Sequence, residues 1–229
     1  MAMWVAAYFT LIEVIFYHTP TLAGWNKGQV MIIMSCYYYI QNISDIFFKD
    51  VIEDFGDIVR RGELDHLLTK PTSSRLLAFF RGMRFDHLAS LVATTAMLIY
   101  GLNQVEEPIT FLNALAGVGL MGFSLILYFS ILSLMSTVVF WVEKNDTFSV
   151  LIFNVSQVSR YPRQIFTGVV GTVLTYGLPL ALLASVPAEA ILGRSIGSIV
   201  MLLVVLTAIF YILSAVMWRV GLRRYTSAN

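Results

Sequence analysis

The side chains able to do chemistry in this 229-residue chain are few, and their spacing suits no familiar reaction centre. Histidine occurs three times, at His18, His66 and His87, and no two share metal-ligand spacing. The single cysteine, Cys36, lies in an apolar run, so neither a disulfide framework nor a thiolate metal site is available. Neither G-x-S-x-G nor H-E-x-x-H occurs, which removes two common hydrolase signatures. The phosphate-cradling pattern G-x-x-x-x-G-K-[ST] is missing as well; Gly168-Val169-Val170-Gly171 has the glycines without the lysine. The expectation is a chain that is not an enzyme and binds no cofactor or metal of its own.

The elements that must carry these side chains are membrane helices. Apolar residues make up 58% and charged residues 13%, with a formal charge of +1. Soluble domains sit near about 45–50% and about 25%, and the mean hydropathy here is +0.76. A water-soluble globule of this length cannot hide so much apolar surface, and no basic face is present for nucleic acid. A spanning helix needs roughly 20 apolar residues. Such runs fall at about 28–48, 86–103, 110–141 and 195–218, the last ending in Trp218-Arg219. The run 1–18 has no Lys or Arg before it, which predicts a first span that is truncated or started late.

Residues 143–194 are less regular. The polar-flanked run within 146–161 makes a short fifth span, since Thr147 to Ser159 rises only about 20 Å as a helix. Pro179 and Pro187, with Gly168, Gly171 and Gly177, then break the following stretch. Broken helices at membrane depth survive only where protein or a wet cavity covers the freed backbone. This predicts a re-entrant helical hairpin at 163–193; the alternative is a linker at 143–163 and a kinked span at 164–188. Either way the fold is all-α and polytopic, with six spans in one transmembrane domain. Lys49, Arg60, Arg61, Lys70, Arg75, Arg81 and Arg84 place 49–84 in the cytoplasm, and Arg219, Arg223 and Arg224 place the C-terminus there. The 103–110 loop holds Glu106 and Glu107 with no basic residue, so it lies outside together with 19–27.

Against that frame a few polar residues become candidates. Glu13 interrupts the first apolar run; intramembrane acids often mark a pathway, although His18 and Pro20 nearby favour a turn toward the headgroups. Asn154, Gln157, Arg160 and Arg163 make the fifth segment and its exit unusually polar, and could line a route for solute. Tyr37, Tyr38 and Tyr39 could offer ring faces to a flat or cationic molecule, but three consecutive residues point three ways and helix packing is the simpler use. Gly117, Gly119 and Gly122 suit close helix contact.

Segment 49–84 carries a helical stripe of Val51, Ile52, Phe55, Ile58 and Val59, with acids early and Arg60 and Arg61 late, matching the helix dipole. Gly62 stops it. Glu63 to Leu68 then puts Leu64, Leu67 and Leu68 on one side before Lys70-Pro71. Pattern alone allows an amphipathic helix lying on the inner leaflet. It equally allows a short helix entering a partner's groove, anchored by the leucines and specified by Glu63, Asp65 and His66.

The stretches Val59 to Ser73, Leu178 to Gly193 and Trp218 to Ala228 together resemble ABC-2-type transporter permeases, within a little-characterised group of export permeases. The resemblance implies a six-helix permease in the cytoplasmic membrane, paired as a homodimer or heterodimer with a second permease subunit. Two ABC ATPase subunits would hold the ATP and Mg. It also implies that Gly62, Glu63, Leu64, Asp65, His66, Leu67, Leu68 and Pro71 belong to the region coupling membrane to motor, and that transport is outward. Some relatives are described as exporters of drugs or viologens. The rival expectation is a membrane scaffold or sensor that anchors a cytosolic partner and moves no solute.

Overall fold

A computed structural model describes residues 2–68, 73–80, 82, 87–106, 108–142, 154–194 and 197–225. Every named element among them is helical. Helix α1 (Ala2–His18) leads into a tight reversal in which Ala23 (φ 51°) and Gly24 (φ 80°) are both left-handed. Leu22 and Trp25 pair across it through two backbone hydrogen bonds of 2.9 and 3.0 Å. The reversal buries Trp25 and delivers Asn26 as the N-cap of α2 (Lys27–Phe47). The Asn26 side chain accepts from the Gln29 N–H, and the Gln29 side chain accepts from the Asn26 N–H. This reciprocal cap fixes where α2 begins.

Helix α2 is the axis of the molecule. It is buried on nearly every side, polar positions Gln29, Ser35, Gln41, Asn42, Ser44 and Asp45 included. At its far end the chain turns through four short helices, α3 (Lys49–Glu53), α4 (Phe55–Arg60), α5 (Glu63–Leu68) and α6 (Ser74–Phe79). It then returns along α7 (Leu88–Asn103) and α8 (Phe111–Thr137). The two ends of the bundle are conveniently called the Trp25 end and the Trp218 end.

Beyond residue 160 the chain makes a bent helical pair. Helix α9 (Gly168–Thr172) runs into a wide π-type turn at Val173–Gly177, breaks at Leu178-Pro179, and resumes as α10 (Leu182–Ile191) at 85°. Each arm rises only about 15 Å, half of the ~30 Å hydrocarbon core. All ten residues of α10 are buried, chiefly against α8 and α2. Its end is a Schellman cap: Gly193 is left-handed (φ 69°), and the Arg194 N–H donates to the Glu189 carbonyl at 3.0 Å. Helix α11 (Gly197–Leu222) closes the bundle against α8.

By length and apolarity, Phe111–Phe140 and Gly197–Leu222 are each able to cross a membrane, and the bent pair makes a third if it is one span. Helices α1 and α7 are apolar but shorter, and α2 is long enough but polar. The six crossings expected from sequence rest on these three helices and on 146–161, of which 146–153 lies outside the described residues.

One of the three glycines expected to serve helix contact does so. A Cβ on Gly117 would lie 2.3 Å from Ile191 Cγ1 and 3.0 Å from the Pro187 carbonyl oxygen, where α8 meets α10. Gly119 and Gly122 have no such neighbour within 4 Å. Gly117→Val should therefore destabilise the bundle by about 1–3 kcal/mol through overpacking, while Gly119→Ala should leave the thermal midpoint of the purified protein unchanged or slightly raised.

Candidate functional site

Two places gather the residues singled out by sequence. The first is a cavity of about 360 Å³ between α1, α2 and the turn at 154–160. Its lining is Trp4 and Tyr8 of α1, Tyr37, Tyr38 and Gln41 of α2, and Asn154 and Gln157. Tyr37 donates its hydroxyl to Gln157 Oε1 at 3.0 Å. Gln41 Nε2 donates to the Tyr128 and Ser156 hydroxyls, both at 3.3 Å, while its buried Oε1 meets no hydrogen-bond donor among the described residues. Behind this wall stands Arg160, 3% exposed. Its guanidinium lies 3.8 Å from the centroid of the Tyr8 ring and 5.4 Å from that of Tyr37, and Nε donates to the Gln157 carbonyl at 2.9 Å. Tyr39 takes no part, because its hydroxyl pairs with Thr95 of α7 at 2.7 Å.

The other two expected pathway residues lie apart from this cavity, at the Trp25 end. Glu13 accepts from Lys27 Nζ at 3.1 Å and from the Tyr100 hydroxyl at 3.0 Å, tying α1 to α2 and α7. Arg163 donates to Glu189 from Nε at 3.2 Å and Nη2 at 3.4 Å, and Gln164 Nε2 adds a bond of 2.7 Å. Arg163 is thus spent on pinning α10. Glu189 is 1% exposed and went unremarked in sequence, although an acid two residues after Pro187 in an apolar run is a visible signal. Gln164 also accepts from Trp25 Nε1 at 3.2 Å. Arg194 lies 3.7 Å over the Trp25 ring and donates to Gln29 Oε1 at 3.0 Å, so the loop, the start of α2 and the exit of α10 form one network.

The second place is the turn at the Trp218 end. Arg60 pairs with Asp57 on α4, and its hydrogen bond, then its charge, hold the Asp57 carboxyl below the usual carboxylate range. Gly62 (φ 69°) reverses the chain into α5. Leu64 is fully buried in a cluster with Phe55, Phe79 and Trp218. The Phe55 ring lies 5.1 Å from Phe79, 5.7 Å from Phe140 and 5.4 Å from Trp218, centroid to centroid. Trp218 Nε1 donates to Ser74 Oγ at 3.3 Å. The expectation that Leu64 anchors a partner's groove is therefore corrected. The residue is turned inward, where α5 packs on α4 and α6 of its own chain, and its fully buried side chain is not open to a partner's groove.

Arg61 and Glu63 stand 3.9 Å apart, and His66 is exposed. Asp65 lies beside Tyr225; burial first, and then that carboxylate, push the Tyr225 phenol above its ordinary range. Leu67 and Leu68 complete α5, and Pro71 lies outside the described residues. The remaining histidines are dispersed: His18 packs against the Tyr17 ring, and His87 Nδ1 lies 3.6 Å from Asp45, which also holds Lys49 at 2.8 Å.

Long apolar helices packed around the polar axis of α2 mark a membrane protein. The chain belongs to the ABC-2 family transporter proteins, whose family model matches residues 2–229. This agrees with the resemblance seen in the three sequence stretches. No curated protein and no solved structure matches the chain.

Proposed function

We propose that the chain is the permease subunit of an ATP-driven exporter in the cytoplasmic membrane, powered by ATP and Mg on separate ABC ATPase subunits and paired with a second permease. The basic residues of 49–84 and of the tail support a cytoplasmic Trp218 end. The observation that carries the reading is the mechanical continuity of α5. A helix of six residues has no stability of its own, yet fully buried Leu64 ties it into the same hydrophobic cluster as Phe55, Phe79 and Trp218, with α5 packed on α4 and α6. A push on its outer face, which carries His66, passes first into α4 and α6 and through the shared cluster to the long helices. Rigid-body rocking of such a bundle is an established route to alternating access. The aromatic cavity is then a segment of the solute route, and the bent pair at 163–193 is the re-entrant hairpin that backs it.

The test is to purify the tagged full chain from cells that encode it and to look for a cassette ATPase among the proteins recovered with it. The ATPase should be recovered with the permease. Glu63→Lys combined with His66→Asp should lower that recovery at least about tenfold while size and helicity persist. A chain that purifies with no cassette ATPase, or a double variant that retains it fully, overturns the proposal and leaves the scaffold reading.

A further inference from the structure

Resting on the reading of this cavity as part of the solute route, we propose that it selects flat aromatic anions, such as carboxylates, sulfonates or phosphates, and rejects organic cations. A pocket walled by Trp4, Tyr8, Tyr37 and Tyr38 would ordinarily be taken for a cation cage, since ring faces attract cations. Here the protein supplies the cation. Arg160 lies over the Tyr8 ring and near that of Tyr37, so two of the four rings are engaged from behind.

Guanidinium is always charged, and this one is 3% exposed. Its contacts among the described residues are a carbonyl oxygen and two rings, with no carboxylate. Among the described residues, the buried or half-buried acids Asp45, Glu189 and Glu13 are matched by Lys49, Arg163 and Lys27. Arg160 is left to set the field at the cavity, in surroundings of low dielectric where a charge acts strongly across several ångströms. A buried cation without its counter-charge is costly, and an anion bound in the cavity supplies that counter-charge. A viologen dication cannot supply it.

The test uses the full-length wild-type chain in nanodiscs of neutral phosphatidylcholine, with empty nanodiscs subtracted. Two flat dyes are titrated, anilinonaphthalene sulfonate (an anion) and ethidium (a cation). Binding is read as the part of tryptophan quenching that is lost in Trp4→Phe. The anion should bind at least about tenfold more tightly than the cation. Arg160→Gln should abolish that preference, whereas Arg160→Lys, which keeps the charge, should preserve it. Ethidium binding as tightly as the anion to wild type overturns the inference even if the Arg160 variants do not fold, as does a preference that survives Arg160→Gln. If neither dye gives a Trp4-dependent signal, the cavity is not a ligand site and its place on the solute route fails too. Binding of both dyes without discrimination overturns only the charge selectivity.

Discussion

Replacing Arg163 by Met is expected to destabilise the protein by about 3 kcal/mol, and to do so far more than replacing Glu189 by Gln. The two partners differ in where they stand. Glu189 is 1% exposed and Arg163 30%. Removing the arginine strands a carboxylate inside the bundle with only Gln164 to donate to it. Breaking a buried pair in this way costs about 3–5 kcal/mol, and access of water to Arg163 puts this case at the low end. Removing the carboxylate instead lets Arg163 turn outward and leaves an amide that still accepts from Gln164. The double variant should therefore recover most of what Arg163→Met loses, a coupling that a double-mutant cycle on detergent-solubilised protein measures directly. Equal losses in the two single variants, or simple additivity, would show that the pair does not hold α10 in place.

The second large effect is expected at Leu64. Placing Asp there sets an unpaired charge at a fully buried position of the cluster that holds Phe55, Phe79 and Trp218, a change in the class that costs upward of about 4 kcal/mol. Because α5 cannot persist alone, the loss should appear locally: rapid hydrogen exchange and new protease cleavage around Gly62, with α8 and α11 still protected. Leu64→Met, close in volume, should stay within about 1.5 kcal/mol of wild type. The experiment separates two roles for one residue. Were Leu64 an anchor for a partner, the isolated chain would tolerate Asp without penalty and only the assembled complex would weaken.

Much of the architecture was legible in composition and run length, because water excludes so much apolar surface whatever the packing. Asn154, Gln157 and Arg160 stood out for the same reason: polar side chains in an apolar stretch need partners, and Asn154 and Gln157 line the cavity while Arg160 stacks on Tyr8 beside it. What sequence did not disclose was direction. A leucine stripe on a short helix reads identically whether it faces a partner or its own chain, and only the position of Phe55, Phe79 and Trp218 decides. Nor could it separate Arg160 from Arg163, three residues apart and alike in context. One stacks on rings in the bundle interior; the other meets an acid from 26 residues downstream. Of the neighbouring tyrosines, the pair turned to the cavity was set apart from Tyr39 only by helical phase against α1 and α7.

The network joining Trp25, Gln29, Arg194 and Gln164 has a mechanical corollary. It welds the start of α2 to the exit of α10 and to the turn that precedes α9, making them a single stator. Of the cavity's walls, α1 stands outside that weld, tethered at one end by the Glu13–Lys27 bond and mid-bundle by the stacking of Tyr8 on Arg160. The cavity's width accordingly depends on the tilt of α1 about its salt-bridged end, with the guanidinium–ring contact as the clasp that resists that tilt.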